Sequence, residues 1–126
     1  MWTNRGTGKY GAQKTTVRGV AYHSKLEAED ARWLQDLEKK GDISQLKEQV
    51  RYRIYVAGTE VGSSVVDFQF VYKGTLVWYE TKGFPTALYK FKRKCIEAQI
   101  SQTPGELYIV NAADMLQVMS GTPSHV

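Results

Sequence analysis

The sequence predicts one α/β domain in which helices flank a mixed central β-sheet. Residues 65–70 and 77–82 are two strand-like runs, and Lys73-Gly74 between them suits the tight turn of an antiparallel hairpin. A helical pattern then leads to a short apolar segment at residues 107–110, and a strand–helix–strand crossover of this length implies parallel pairing beside the hairpin. The 126 residues, 42% of them hydrophobic, are enough for one core and too few for two.

The elements before the hairpin are predicted in order from composition and periodicity. Residues 1–13 are glycine-rich and basic, which predicts a flexible arm, and residues 16–22 predict a short strand. Ser24 is expected to cap a helix that ends at Gly41. The apolar stripe of this helix is expected to consist of Leu26, Trp33, Leu34 and Leu37.

The segments on either side of the hairpin complete the expected order. Residues 43–56 predict one or two strands, and residues 57–64 predict a loop. After a break at residues 83–85, Thr86 is expected to begin a second helix, and residues 114–119 are expected to form a last short one. The core-facing side chains of the second helix are expected to be Leu88, Phe91, Cys95 and Ala98.

The hairpin also predicts a cluster of charged side chains. If the turn has two residues, the position numbers of each facing pair sum to 147, and Asp67 lies opposite Glu80. Alternation then places Asp67, Glu80 and Lys82 on one face. The opposite face is expected to be core, formed by Phe68, Phe70, Val77 and Tyr79. Facing like charges destabilise a sheet by up to ~1 kcal/mol, so we expect a divalent metal ion to compensate them. The alternative is a set of solvated charges on an amphipathic strand.

Charge is distributed unevenly along the chain. With 17 Lys and Arg against 13 Asp and Glu, the formal charge is +4. Residues 1–26 and residues 82–96 each carry five basic side chains and no acid, whereas the rest of the chain holds seven basic residues and all 13 acids. Basic segments on both sides of a carboxylate cluster favour contacts with a phosphate backbone. The alternative is a solvated helix face for the second segment and a disordered tail for the first.

Several classes of protein are disfavoured by the composition. No apolar run approaches the ~18 residues of a membrane span and no signal peptide is present, so we expect a soluble intracellular protein. A single cysteine, Cys95, excludes an internal disulfide and a cysteine-based metal cluster, and we expect it to be buried filler. Only His23 and His125 are available for a zinc site or a histidine triad, which makes both improbable.

Glu27 has two possible roles. It is the third helical residue after Ser24, the position of the acidic partner in a capping box, so it could serve only to close the start of the helix. It could also belong to the carboxylate cluster. The sequence leaves both roles open.

Six short blocks stand in an order that is typical of one group of enzymes. The blocks are Lys9-Tyr10-Gly11, Ser24-Lys25-Leu26-Glu27-Ala28, Gln49, Val66-Asp67-Phe68, Glu80-Thr81-Lys82-Gly83, and Tyr89 through Lys94. With them the chain resembles the PD-(D/E)XK nuclease superfamily, and within it the small phage-encoded endonucleases described as Holliday-junction-resolvase-like. Val66 stands where the eponymous proline would be, a position that varies in the superfamily. The resemblance implies a restriction-endonuclease-like core.

The resemblance also implies roles for individual residues. Asp67 and Glu80 would bind Mg²⁺ or Mn²⁺ with the Thr81 carbonyl as a further ligand, and hard oxygen donors suit these ions. Lys82 would orient or deprotonate the attacking water. Glu27 would complete the metal shell directly or through water. The residues expected to contact DNA are Lys9, Lys14, Gln49, Tyr89, Lys90, Lys92, Arg93 and Lys94.

The function implied is that of a metal-dependent DNA endonuclease that hydrolyses phosphodiester bonds, with a preference for branched or junction DNA. Residues 1–126 would form a single nuclease domain, active as a homodimer because resolving a junction needs two symmetric cuts. We expect a phage or prophage protein in the cytoplasm of a bacterial host, acting in DNA recombination and repair. Three alternatives stay open: an enzyme for flapped or single-stranded DNA, a non-catalytic DNA-binding module that retains the fold, and a structural subunit without a nucleic-acid role.

Overall fold

The fold is a mixed four-stranded sheet with helices packed around it. It is seen in a computed structural model that describes residues 15–17, 20–22, 24–81 and 86–121. The strands are β1 (Thr15–Val17), β2 (Val20–Tyr22), β3 (Ser44–Val56), β4 (Thr59–Tyr72), β5 (Thr75–Glu80) and β6 (Glu106–Val110). The helices are α1 (Lys25–Lys40), α2 (Ala87–Ser101) and α3 (Ala112–Met119). The large sheet has the order β3-β4-β5-β6, and β1 pairs with β2. The predicted α/β class is confirmed, whereas the arm predicted for residues 1–13 lies outside the described residues.

The β4–β5 hairpin has the register that a two-residue turn requires. Tyr72 pairs with Thr75 and Phe68 pairs with Tyr79, so facing position numbers sum to 147 as predicted. Both turn residues adopt left-handed backbone angles, φ 48° and 80°, as the primed turns of hairpins demand. On its other side β5 pairs with β6 in parallel. The crossover predicted through the second helix is therefore confirmed.

Helix α1 begins and ends at the predicted caps. Ser24 Oγ accepts a hydrogen bond of 3.0 Å from the Glu27 N–H. Gly41 closes the helix with φ 87°, a left-handed angle that glycine adopts without strain. The buried residues of α1 are Glu27, Ala28, Asp30, Ala31, Leu34 and Leu37. Leu26 was expected among them but is 45% exposed, because a helical step of about 100° puts it beside the buried face.

Two strand predictions are wrong. The loop expected at residues 57–64 is a two-residue turn, Ala57-Gly58, with φ 51° and 82°, and β4 begins directly after it. The start of β4 carries no apolar alternation because most of residues 59–65 are exposed, so pairing with β3 defines this end of the strand. One strand was expected at residues 16–22, whereas β1 (Thr15–Val17) and β2 (Val20–Tyr22) are two short strands that pair antiparallel.

Helix α2 buries a different face from the one predicted. Its buried residues are Ile96 and Ile100, whereas Leu88 and Phe91 are 62% and 65% exposed. Ala98 is exposed as well, and half-buried Cys95 only borders the core. The prediction failed because α2 carries more than one apolar stripe, and the strands beneath it select which stripe is buried.

Each face of the sheet carries a hydrophobic cluster. The core residues predicted for the hairpin belong to the cluster under α1, namely Phe68, Phe70, Val77 and Tyr79. The second cluster joins Trp78 to the α2 isoleucines. Trp78 shares its face with Glu80 by alternation, so the face expected to be purely chemical also contains core. Among the described residues, no helix has both the length and the apolar character needed to cross a membrane.

Candidate metal centre

Asp67 of β4 and Glu80 of β5 lie side by side. Phe68 and Tyr79 are the last pair of the β4–β5 ladder, so the two carboxyl residues occupy the next positions outward. The two carboxyl groups lie close enough for each to affect the pKa of the other. The Thr81 N–H donates to Oδ2 of Asp67 at 3.0 Å. Glu80 is only 3% exposed, whereas Asp67 is partly exposed.

Burial changes the protonation of the pair. Loss of water contact, together with the charge of Asp67, raises the pKa of Glu80 to about 8. Burial also raises the pKa of Asp67, against hydrogen bonds from the Thr81 N–H and from Gln49 that lower it. Burial of Glu80 and the nearby charge of Asp67 therefore favour the protonated form of Glu80. A proton on Glu80 would be an alternative to the divalent cation expected from the facing charges, and that cation stays a prediction.

Gln49 links Glu27 to this pair. Glu27 is buried in the first turn of α1, and its Oε2 accepts a hydrogen bond of 2.8 Å from Gln49 Nε2. The same nitrogen lies 3.5 Å from Oδ1 of Asp67. Gln49 adopts φ 55° within β3, a left-handed angle that costs a non-glycine residue roughly 1–3 kcal/mol. The amide of Gln49 thus bridges the two carboxylates, and its expected contact with DNA stays a prediction.

Asp30 is a buried carboxylate that the sequence analysis missed. Its Oδ2 accepts hydrogen bonds from the Tyr79 hydroxyl at 3.0 Å and from Thr81 Oγ1 at 2.8 Å. Burial raises its pKa, and the two hydrogen bonds lower it. The available signal was spacing, since Asp30 follows Glu27 by three residues and so shares its helix face. Thr81, predicted as a carbonyl ligand, thus lies between Asp30 and Asp67.

Glu80 has further partners on β6 and just beyond it. The Tyr108 hydroxyl donates to Glu80 Oε2 at 3.2 Å, and burial raises the pKa of this phenol, which keeps it a donor. The Asn111 N–H donates to the Glu80 carbonyl at 3.0 Å. The sequence analysis did not single out Tyr108, because only the parallel pairing of β5 with β6 brings it to Glu80.

The basic helix α2 borders this group of residues. Tyr89 and Arg93 lie close enough to Tyr108 to affect its pKa. The Arg93 guanidinium stands over the Tyr89 ring at 5.8 Å and forms a long ion pair of 3.9 Å with Glu97. Lys90 and Lys94 of the same helix are exposed, and Lys92 is half-buried. Three predicted site residues lie outside the described residues, namely Lys9, Lys14 and Lys82.

The carboxylates do not form one compact metal cage. In residues 24–81 and 86–121, no three histidine, cysteine, aspartate or glutamate side chains converge into a cluster that could hold a metal ion. Gln49 stands between Glu27 and Asp67, which leaves Asp67 and Glu80 as the adjacent pair. The arrangement can hold a hard cation through two carboxylates, provided that both carboxyl groups are deprotonated.

Comparison with known proteins identifies a family with no assigned activity. No curated protein and no solved structure matches the chain. A family model described as "Protein of unknown function (DUF1064)" matches residues 7–114, a range that contains Glu27, Gln49, Asp67 and Glu80. The chain therefore belongs to the family described as Protein of unknown function (DUF1064).

Proposed function

We propose that the protein is a metal-dependent endonuclease that hydrolyses the phosphodiester bonds of DNA. The observation that carries this proposal is the adjacent pair of half-buried Asp67 and buried Glu80, in which burial and the charge of Asp67 raise the pKa of Glu80 to about 8. Two adjacent carboxyl groups with little access to water lower the stability of the folded protein. Carboxyl groups with perturbed pKa values concentrate at functional sites. Binding of a cation would explain the presence of a pair that does not stabilise the fold.

The pair fits a hard divalent cation. Mg²⁺ is usually held by one or two carboxylates, with waters and phosphate oxygens as its other ligands. Asp67 and Glu80 would supply the carboxylates, the Thr81 carbonyl a further oxygen, and Glu27 a ligand directly or through water. Bound Mg²⁺ or Mn²⁺ would polarise the phosphate and lower the pKa of a water molecule.

Neighbouring hydrogen-bond donors and cations would position the attacking water, the carboxyl group of Glu80 and the DNA backbone. Lys82 would orient or deprotonate the attacking water, as the resemblance to PD-(D/E)XK nucleases implies. Tyr108 donates to Glu80 and would keep that carboxyl group oriented. Arg93 has a buried Nε with no hydrogen-bond partner within the described residues. Because that Nε is buried, a phosphate oxygen of DNA would meet the solvent-exposed part of this side chain, which is 34% exposed, with a charge-assisted bond, and the exposed Lys90 would add attraction for the backbone.

The resemblance to resolvase-like enzymes supports the finer parts of the proposal. The substrate would be branched DNA, and two active sites of a homodimer would make symmetric cuts. The gene would come from a phage or prophage, and the protein would act in the cytoplasm of its bacterial host during DNA recombination and repair.

A cleavage panel tests the proposal. Four-way junction, flap, linear duplex and single-stranded DNA are each incubated with the protein in MgCl₂, MnCl₂ or EDTA. We expect cleavage only with a divalent metal, and fastest on branched substrates. Intact DNA in every reaction with metal would overturn the enzyme assignment, and fastest cutting of linear or single-stranded DNA would overturn the junction preference.

A second candidate is a DNA-binding module that retains the fold without catalysis. Gln49 favours this candidate, because its amide lies between Glu27 and Asp67 and so separates two carboxylates that would otherwise bind one metal ion together. This candidate predicts salt-dependent DNA binding in EDTA and no cleavage with any divalent metal. A purely structural subunit would show neither.

A further inference from the structure

We propose that Asp30 is a positioning residue of the candidate metal centre: by holding the Thr81 hydroxyl, it fixes the backbone N–H that orients Asp67. The inference rests on the proposed function and extends it. It assigns a role to a carboxylate that contacts a neighbour of the metal ligands and not the substrate.

Thr81 is held by side chains and not by the sheet. The β5 ladder ends at Glu80, so Thr81 is the first residue beyond it. Its N–H donates to Asp67 Oδ2 at 3.0 Å, and its hydroxyl donates to Asp30 Oδ2 at 2.8 Å. Thr81 is 5% exposed, so water has little access to replace either partner. The conformation of this residue therefore depends on two carboxylates that approach it from different elements.

Asp30 is well placed to act as a fixed point. It lies on the buried face of α1 one turn after Glu27, where the helix backbone sets its position. The Tyr79 hydroxyl donates to the same Oδ2 at 3.0 Å, and Tyr79 itself is fully buried. The rings around Tyr79 are those of Trp33, Phe68 and Phe70. A buried carboxylate is unfavourable unless it is hydrogen-bonded. The two hydroxyls supply those hydrogen bonds, while the backbone of α1 sets the position of Asp30.

The two faces of Thr81 connect the helix to the proposed metal ligand. Its side chain contacts Asp30 and its backbone contacts Asp67, so a shift of the hydroxyl would move the N–H that restrains Asp67 Oδ2. The carbonyl of the same residue is the further ligand suggested for the metal. Partners that orient metal ligands without touching the metal commonly change affinity by about 10–100-fold when they are removed.

Two substitutions that conserve shape separate positioning from a purely structural role. Thr81→Val removes the hydroxyl that donates to Asp30, and Tyr79→Phe removes the other donor to the same oxygen. We expect Thr81→Val to weaken binding of Mn²⁺ by about 10-fold or more, measured by titration calorimetry on the folded protein without DNA. Tyr79→Phe should lower Tm but leave the Mn²⁺ affinity unchanged, because α1 still holds Asp30 beside Thr81. Thr81→Ser keeps the hydroxyl and should retain the wild-type affinity.

Amide hydrogen exchange gives a second measurement that does not depend on metal. The N–H at position 81 should exchange faster in Thr81→Val than in the wild type or in Tyr79→Phe at the same pH. Wild-type cleavage combined with unchanged Mn²⁺ affinity in Thr81→Val would overturn the role of Asp30 and leave the proposed function intact. Equal loss of Mn²⁺ affinity in Thr81→Val and Tyr79→Phe would also overturn it. A wild type that neither binds Mn²⁺ nor cleaves DNA would overturn both proposals.

Discussion

Glu60 and Glu80 lie on adjacent strands of the same sheet and have opposite surroundings. Glu60, near the exposed turn between β3 and β4, faces Arg53 at 3.1 Å, with side chains 41% and 56% exposed. Glu80 is 3% exposed and faces Asp67, and its pKa rises to about 8. An exposed ion pair contributes little because water solvates both partners. A carboxyl group buried beside another costs stability, and this difference is why we propose a chemical role for Glu80 and not for Glu60.

Removing the buried pair should have the largest effect. We expect Asp67→Ala and Glu80→Ala to reduce DNA cleavage by at least ~1,000-fold, because the metal supplies several kcal/mol of charge stabilisation. DNA binding should persist or strengthen, since negative charge leaves a surface that faces phosphate. Single-turnover cleavage and fluorescence anisotropy measure the two effects. Glu60→Ala is the exposed control and should cleave normally, whereas full cleavage by either buried variant would contradict the metal assignment.

Glu27 lies between these extremes, since it is buried and also at a helix start. If it serves the metal shell, Glu27→Gln should lower cleavage by orders of magnitude at unchanged Tm, with partial rescue by Mn²⁺. If it only caps α1, the same change should cost a few tenths of a kcal/mol and leave cleavage intact. Ser24→Ala is the matched control: it removes the cap, costs about 1 kcal/mol of stability and should retain activity. Wild-type cleavage by Glu27→Gln would remove Glu27 from the site.

The pH dependence of stability should separate the buried from the exposed carboxyl. The pKa of Glu80 rises from 4.5 to about 8 in the folded protein, so the folded state binds the extra proton between these values. The contribution of Glu80 to the free energy of unfolding should therefore be fully present below pH 4.5. It should be lost as pH rises towards about 8, which lowers the free energy of unfolding by a few kcal/mol in order of magnitude. Urea denaturation in EDTA measures it. Glu80→Gln should lose this decline and Glu60→Gln should keep it; equal slopes in both would contradict the buried proton.

Helix α2 offers a smaller comparison between a half-buried and an exposed cation. Arg93→Ala should weaken binding to all DNA sequences and reduce the slope of log affinity against log salt by about one, because one phosphate contact is lost. Lys90→Ala, on the exposed face of the same helix, should have a smaller effect. Anisotropy titrations at several salt concentrations measure both. Unchanged affinity in Arg93→Ala would argue that its guanidinium serves only Tyr89 and Glu97.

The exposed ion pair itself should matter least. Arg53→Ala removes the partner of Glu60 and should change the free energy of unfolding by less than ~1 kcal/mol, with no change in cleavage. Urea denaturation with and without 1 M salt tests this. A larger loss would mean that the Arg53 side chain stabilises this end of β3 and β4 by more than an exposed ion pair does.

Much of the fold was predictable because its signals are local. Lys73-Gly74 sets the hairpin turn and so the register of Asp67 with Glu80. Ser24 and Gly41 mark the ends of α1 through their own backbone preferences. By contrast, the Ala57-Gly58 turn escaped prediction because the start of β4 is largely exposed and carries no apolar alternation. The buried face of α2 also escaped, since its choice depends on the strands beneath it.

The sequence by itself determined which residue types form the candidate site, because carboxylates at fixed positions in a hairpin have fixed neighbours. Only the tertiary structure decided their partners. Asp30 meets Tyr79 and Thr81 from 49 and 51 residues away, and Tyr108 meets Glu80 across 28 residues. The raised pKa of Glu80 has the same origin, since burial and the nearby charge of Asp67 cause it. Burial is a property of the packed chain, and no local pattern of residues specifies it.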